Sequence, residues 1–212
     1  RDTFSASFWV KPDDGRKPNT NHIFGNGTVG TSFLFSINSN GYLGVFMLVN
    51  GKYVIGSTTT GRYDDGAASD FSHVAIVVKK NTGGNTAVKI YKDGAVLIMA
   101  PFSNITDTDQ AAIAFGGATT HIGWGNASDT SSNRLIGNID EAAFFDTELN
   151  ASNVAAIYNS GTPFDLTSDN GDYNSSGNLL SYYRFENNTD DTQGVSNGTL
   201  VGSDAAFEED TP

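Results

Sequence analysis

Cysteine is absent from the chain, which excludes disulfide staples and thiolate chemistry. Basic residues are scarce. Lys and Arg number 12 against 24 Asp and Glu, giving a formal net charge of −12, and they form no cluster. Nucleic acids and anionic membranes need a basic surface, so neither is expected as a partner. No apolar run approaches the roughly 18 residues needed to cross a bilayer, and no membrane insertion is expected. Histidine occurs only at His22, His73 and His121, without a metal-type spacing such as His-Glu-x-x-His. A Gly-x-Ser-x-Gly elbow and a phosphate loop ending in Gly-Lys-Ser/Thr are also missing.

What remains is polar without being highly charged. Charged residues make up 17% of the chain and hydrophobic ones 38%, so Asn, Ser, Thr and Gly carry much of the polarity, as in turns and short strands. Fourteen Phe and eight Tyr supply bulk to a core poor in Met. A length of 212 residues fits one domain, since all-β sandwiches often reach this size undivided. An acidic, cysteine-free composition fits an exported bacterial protein or a virion part. The expected location is therefore extracellular or at the cell surface, with the virion as the alternative. A start at Arg1 without Met, and an acidic end at 208–212, read as a single domain, 1–212, excised from a longer chain.

Short alternating runs fill the sequence. In 4–11 (FSASFWVK) Phe4, Ala6, Phe8 and Val10 face one way, and Ser5, Ser7, Trp9 and Lys11 the other. The run 31–37 (TSFLFSI) leads through Asn40-Gly41 into 42–49, and Asn50-Gly51 leads into 53–55. Asn-Gly is a strong hairpin signal, so these three form an antiparallel meander. The most apolar run, 71–78 (FSHVAIVV), reads as a central strand. Asp93-Gly94 joins 87–91 to 95–99, 120–124 is a short strand, and 179–185 (LLSYYRF) is another. The polar 162–178 segment reads as a surface excursion, and 199–201 as a short final pairing. Turn signals about every ten residues mean a β-sandwich or barrel.

The stretch 134–161 (RLIGNIDEAAFFDTELNASNVAAIYNSG) organises the rest. It predicts an inner strand over 135–145, with Gly137 admitting another backbone. Asn150 then caps a short helix with Val154, Ile157 and Tyr158 on one side, and Gly161 closes it. Asp140 and Glu141 interrupt the apolar strand. Neighbours on a strand point to opposite faces, so at least one carboxylate lies near the core and needs a donor or a metal.

Four stretches in order, FSASFWVKP (4–12), FSHVAIVV (71–78), IYKDG (90–94) and GNIDEAAFFDTELNASNVAAIYNSG (137–161), resemble the laminin-G-like branch of the concanavalin A-like lectin/glucanase superfamily. The tail LLSYYRFENNTDDTQGVSNGTLVG (179–202) resembles the flank of such domains in bacterial and phage surface proteins. The resemblance implies an all-β fold, a two-sheet antiparallel jelly-roll β-sandwich with one short helix. It implies that Trp9 packs between strands and that His73 is a buried structural histidine. It leaves function open, because the fold hosts lectins, adhesion modules and glucanases.

Glucanases of this fold carry a Glu-x-Asp-x-(x)-Glu motif on one strand, and none of the five glutamates begins one. Adjacent Asp140 and Glu141 would point apart, so no catalytic residue is expected and the chain is read as a non-enzyme. A glycoside hydrolase with a pair drawn from different strands is the third reading. The leading one is a recognition module for a polysaccharide or cell-surface glycan. The second is a structural or adhesion domain engaging a neighbouring surface or virion protein. A glycan face needs exposed aromatic rings, and Trp124, Tyr42, Tyr53 and Tyr63 are the candidates.

Calcium is the expected cofactor, since it takes six to eight oxygens and related jelly rolls hold it. Asp140 and Asp190, the latter in the 186–191 segment (ENNTDD), are the candidate ligands. Alternatively, Asp140 accepts backbone N–H groups or pairs with Arg134 or Arg184, while Asp190 caps a turn. The 165–176 segment is no EF-hand loop, with Asn170 in place of Gly and Ser176 in place of Glu.

Overall fold

The computed structural model describes residues 3–13, 20–28, 31–49, 52–63, 70–80, 86–100, 119–125, 133–203, 205–209 and 211–212. Among them the alternating runs become β1 (Thr3–Pro12), β2 (Asn21–Thr28), β3 (Thr31–Ile37), β4 (Leu43–Val49) and β5 (Lys52–Ser57). They continue as β6 (Ser72–Lys80), β7 (Thr86–Lys92), β8 (Ala95–Val96), β9 (Thr120–Ile122), β10 (Gly137–Phe145) and β11 (Leu179–Tyr183). One sheet has the order β11-β10-β1-β6-β7-β8 and the other β5-β4-β3-β2-β9, with every pairing antiparallel. This is the expected two-sheet sandwich, with β3–β4–β5 as its meander and β6 inside its sheet.

Alternation places Phe4, Ala6, Phe8 and Val10 in the core between the sheets, with Val74, Ile76 and Ile90 from one side and Phe24, Phe35 and Val45 from the other. Aromatic rings fill this space. Phe8 stacks on Phe24 at 5.1 Å and meets Phe144 edge-on at 5.5 Å. Burying each such ring contributes roughly 1.5–3 kcal/mol.

The opposite face of the six-stranded sheet is sealed as well. Ala75, Val77, Tyr91, Ala143 and Phe145 form a second core with Val154 and Ile157 of α1 (Ala151–Tyr158). Leu166 and Tyr173 complete it. The 162–178 segment is therefore a cover over the sheet, whereas its composition reads as a surface excursion. Asn153 holds it down: its Nδ2 donates to the Asp172 carbonyl at 2.7 Å and to Asn174 Oδ1 at 3.0 Å, and its Oδ1 accepts from Ser175 Oγ at 2.9 Å. Such bonds are supplied from 19 to 22 residues away, which no local pattern announces.

Other local signals resolve case by case. Asn150 Oδ1 accepts from Asn153 N at 2.9 Å, as a cap should. The helix ends at Tyr158, because Asn159 and then Ser160 adopt left-handed conformations ahead of Gly161. A Cβ on Gly137 would lie 2.3 Å from the Lys11 carbonyl oxygen, so the close approach expected there is real. β8 is only two residues long, and Met99 bridges Thr58 instead. The expected pairing at 199–201 does not form; Leu200 and Val201 are exposed.

Candidate functional site

Register builds the outer face of the five-stranded sheet from two parallel rows. His121, Gly25, Leu34, Phe46 and Ile55 stand opposite one another across all five strands. Beside them run His22 and Ser36, both buried at 5% exposure, then Gly44 and half-buried Ser57, and Arg134 joins His22 through a parallel bridge. Exposure along the apolar row rises from Leu34 at 9% to Ile55 at 51%. The other end is partly roofed. A Cβ on Gly25 would lie 1.8 Å from the Gly125 carbonyl oxygen, so only glycine lets the 123–125 turn press onto β2. Backbone bonds from Gly123 N to the Ile23 carbonyl (2.7 Å) and from Leu135 N to the Gly123 carbonyl (2.9 Å) anchor that turn.

This geometry delivers Trp124 to the edge of the face, half-buried. The Arg134 guanidinium carbon lies 4.2 Å from the centroid of its ring, and His121 meets the indole edge-on at 5.5 Å. Trp124 Nε1, His121 Nδ1 and Arg134 Nε are all buried without a hydrogen-bond partner among the described residues. Of the candidate glycan residues, Trp124 is thus the one at a built cluster. Sequence reasoning considered Arg134 only as a partner for Asp140 and left His121 without a role. The available signal was that Trp124 and Arg134 lie on either side of one polar stretch of the sequence.

The other aromatic candidates fare differently. Tyr42 is half-buried in the β3–β4 turn, where its N–H donates to Asn38 Oδ1 at 3.1 Å. Tyr53 lies in β5 opposite Leu48, and its side chain falls outside the described residues. Tyr63 is a correction. Its ring is 4% exposed within the main core, with Lys92 Nζ 4.1 Å from its centroid, leaving no face for a sugar. Burial raises its phenol above the ordinary value.

Asp140 and Glu141 sit at an irregularity of β10. Ser7 pairs Ala143 but Trp9 pairs Asp140, so a bulge lies between them, and Glu141 has φ +50°. The bulge interrupts the alternation that would aim the two acids at opposite faces, and both are buried. Asp140 Oδ1 accepts from Glu141 N at 2.9 Å. Glu141 accepts from the Tyr182 hydroxyl and, at 3.4 Å, from Arg184 Nε. Burial pushes Asp140 up to about 6 and Glu141 up to about 7; Arg184 opposes this for both, and their own proximity adds to it for Glu141. Arg184, and not Arg134, is the cation at this point. A pair so enclosed and bonded is built to hold the bulge.

Asp190 is exposed and accepts from Asn197 Nδ2 at 3.1 Å. The turn is organised by its neighbour. Asp191 is 4% exposed and accepts from the N–H groups of Tyr182 (2.9 Å), Gln193 (3.0 Å) and Ser196 (3.1 Å). No group of three or more His, Asp or Glu that could hold a metal occurs among the described residues. Asp140 and Asp190 belong to no such group among those residues.

A second concavity of about 330 Å³ lies beside α1, lined by Trp9, Lys11, Phe71, Asp93 and Tyr158 among others. Its floor is structural. Trp9 is 3% exposed and stacks on Tyr158, and His73 Nε2 is 2.8 Å from Ser7 Oγ. Trp9 and His73 thus pack as the resemblance implied.

Known proteins agree with this architecture. A solved Bacteroides ovatus ATCC 8483 structure, provisionally described as a carbohydrate binding protein, matches with TM-score 0.62 and 18% identity. The match covers 93% of this chain and 51% of that one, so the chain spans about half its length. The CBM40 of the Ruminococcus gnavus IT-sialidase, solved with α2,3-sialyllactose, matches with TM-score 0.54 and 12% identity over 74% of this chain and 83% of that one. A heptameric SAP-like pentraxin from Limulus polyphemus gives TM-score 0.51 and 18% identity, covering 74% and 70%. At such identities these structures show the fold alone. No curated protein sequence matches the chain significantly. A family model, Laminin G 3, matches residues 1–155, and with that share of the sandwich accounted for, the chain belongs to the concanavalin A-like lectin/glucanases superfamily.

Proposed function

We propose that the domain is a non-catalytic recognition module that binds a polysaccharide or cell-surface glycan on the outer face of its five-stranded sheet, outside the cell or at its surface. One observation carries this reading: the row through Leu34 and Phe46 opens to solvent at Ile55 across that face, and half-buried Trp124 stands at its other edge beneath Arg134. Sugars have apolar C–H faces that pack on such side chains and hydroxyls that need polar neighbours. The other sheet has its outer face occupied by α1 and the 162–178 cover. The carbohydrate-binding descriptions of the Bacteroides and Ruminococcus structures support the same class of ligand. Enclosure of Asp140 and Glu141 favours binding over hydrolysis, since a glycosidase pair must flank the scissile bond.

The test is a glycan array probed with the wild-type domain and with Trp124→Ala, each with calcium and with chelator. Binding to at least one polysaccharide that Trp124→Ala loses supports the reading. Silence across plant, algal and bacterial polysaccharides in both conditions sinks it. Loss of binding on chelation alone would bring calcium into the site.

A further inference from the structure

Among the described residues, Arg134 is a cation without an anion, in a chain with twice as many acids as bases. Arg184 pairs with Glu141 and Glu186, and Lys79 and Lys89 pair with Glu148. Arg134 Nε has no hydrogen-bond partner among those residues; the guanidinium lies over the face of Trp124, with Gly202 packed near Nη1. An indole face orients a guanidinium by cation–π attraction and leaves its N–H fork unspent. Trp124 Nε1 and His121 Nδ1 are likewise buried without partners among the described residues. Indole N–H and guanidinium N–H can only donate. A buried donor left unmade costs its desolvation, so the cluster holds donors ready for an acceptor-rich group.

We propose that His121, Trp124 and Arg134 form a subsite for a carboxylate-bearing sugar residue, such as a uronic acid. This rests on the glycan-binding reading and names the ligand class for its edge. A carboxylate suits the donors because its oxygens accept only, and its planar fork matches a guanidinium bidentately. The rest of the chain argues against a densely charged polyanion: a net charge of −12 repels it. A single carboxylate at Arg134 feels that distant charge little, since screening sets in within about 8–10 Å at physiological salt.

The experiment uses a tetrasaccharide of neutral sugars carrying a single glucuronic acid residue and its carboxyl-reduced counterpart, with affinities measured by calorimetry for wild type, Arg134→Gln and Arg134→Lys. Expected is about a tenfold or greater preference for the acid, in line with a charge-assisted pair. Arg134→Gln should abolish that preference, and Arg134→Lys should retain part of it. In ¹⁵N-labelled protein the indole N–H of Trp124 should shift with the acid, while that of Trp9 stays fixed as an internal control. Equal affinities for both tetrasaccharides, or an acid preference untouched in Arg134→Gln, overturn the subsite and leave the glycan reading standing. A shift of Trp9 in place of Trp124 also overturns it. Failure of wild type to bind either probe, together with a silent array, removes the glycan reading and the subsite with it.

Discussion

Replacing Glu141 by Gln should stabilise the domain in mildly alkaline solution. Glu141 is 7% exposed, and burial raises its carboxyl from 4.5 to about 7. A folded-state value above the unfolded one means the native state binds the proton more tightly. The stability linked to that proton is full below about 4.5 and is lost as pH climbs through about 7. Raising a carboxyl by one pKa unit costs its charged form about 1.4 kcal/mol, so ionised Glu141 burdens the fold by about 3 kcal/mol. Gln stays neutral and keeps an oxygen for the Tyr182 hydroxyl. The ion pair to Arg184, whose side chain is 41% exposed at 3.4 Å, already offsets part of the burial cost within that figure, by about 0–1 kcal/mol in such a setting. The net expectation is a gain of about 3 kcal/mol at pH 8, shrinking to zero near pH 4. Urea unfolding of both proteins at half-unit steps from pH 4 to 8 measures it. Parallel curves, or a variant weaker than wild type at pH 8, would refute the reasoning and show that the Arg184 pair outweighs desolvation.

The acid limit should belong to His73. Burial lowers its imidazole from 6.5 to about 3, so the stability linked to neutral His73 is present above 6.5 and drains away as pH falls toward 3. His73→Gln should flatten the acid side of the stability profile in the same urea series; an unchanged acid slope contradicts this. Gly25→Ala should lower stability by about 1–3 kcal/mol, the usual cost of overpacking, because its Cβ would strike the Gly125 carbonyl. The same change should move Trp124, visible in its fluorescence, and weaken glycan binding as Trp124→Ala does. A fully stable Gly25→Ala protein with unaltered fluorescence would show that the 123–125 turn is not pinned there.

Much of this architecture is written locally. Alternation in FSASFWVK already separates Phe4, Ala6, Phe8 and Val10 from Ser5, Ser7 and Trp9, and the sheets bury the first set between them. Asn150 and Gly137 do what their side chains, or lack of one, permit. These features need only neighbours within a few residues, and period-two patterns or caps are properties of the segment itself. The candidate site was legible only in part. Trp124 could be picked first as an aromatic beside a polar loop, but Tyr63 followed it as a candidate until the fold buried it.

Tertiary structure decided the rest because it depends on register and on contacts across long stretches of chain. The bulge at Glu141 undoes the alternation that Asp140 and Glu141 would otherwise obey, since one residue slipped against β1 turns the neighbouring side chains to other faces. His121, Gly25, Leu34, Phe46 and Ile55 become one row only when five strands pair in this order. Asn153 turns a polar segment into a cover over a sheet. Composition determined an acidic, cysteine-free β-protein, and local pattern determined its strands. Which arginine meets a carboxylate, and which meets an indole, was settled by long-range packing, because charges pair by distance in space and not by spacing along the chain.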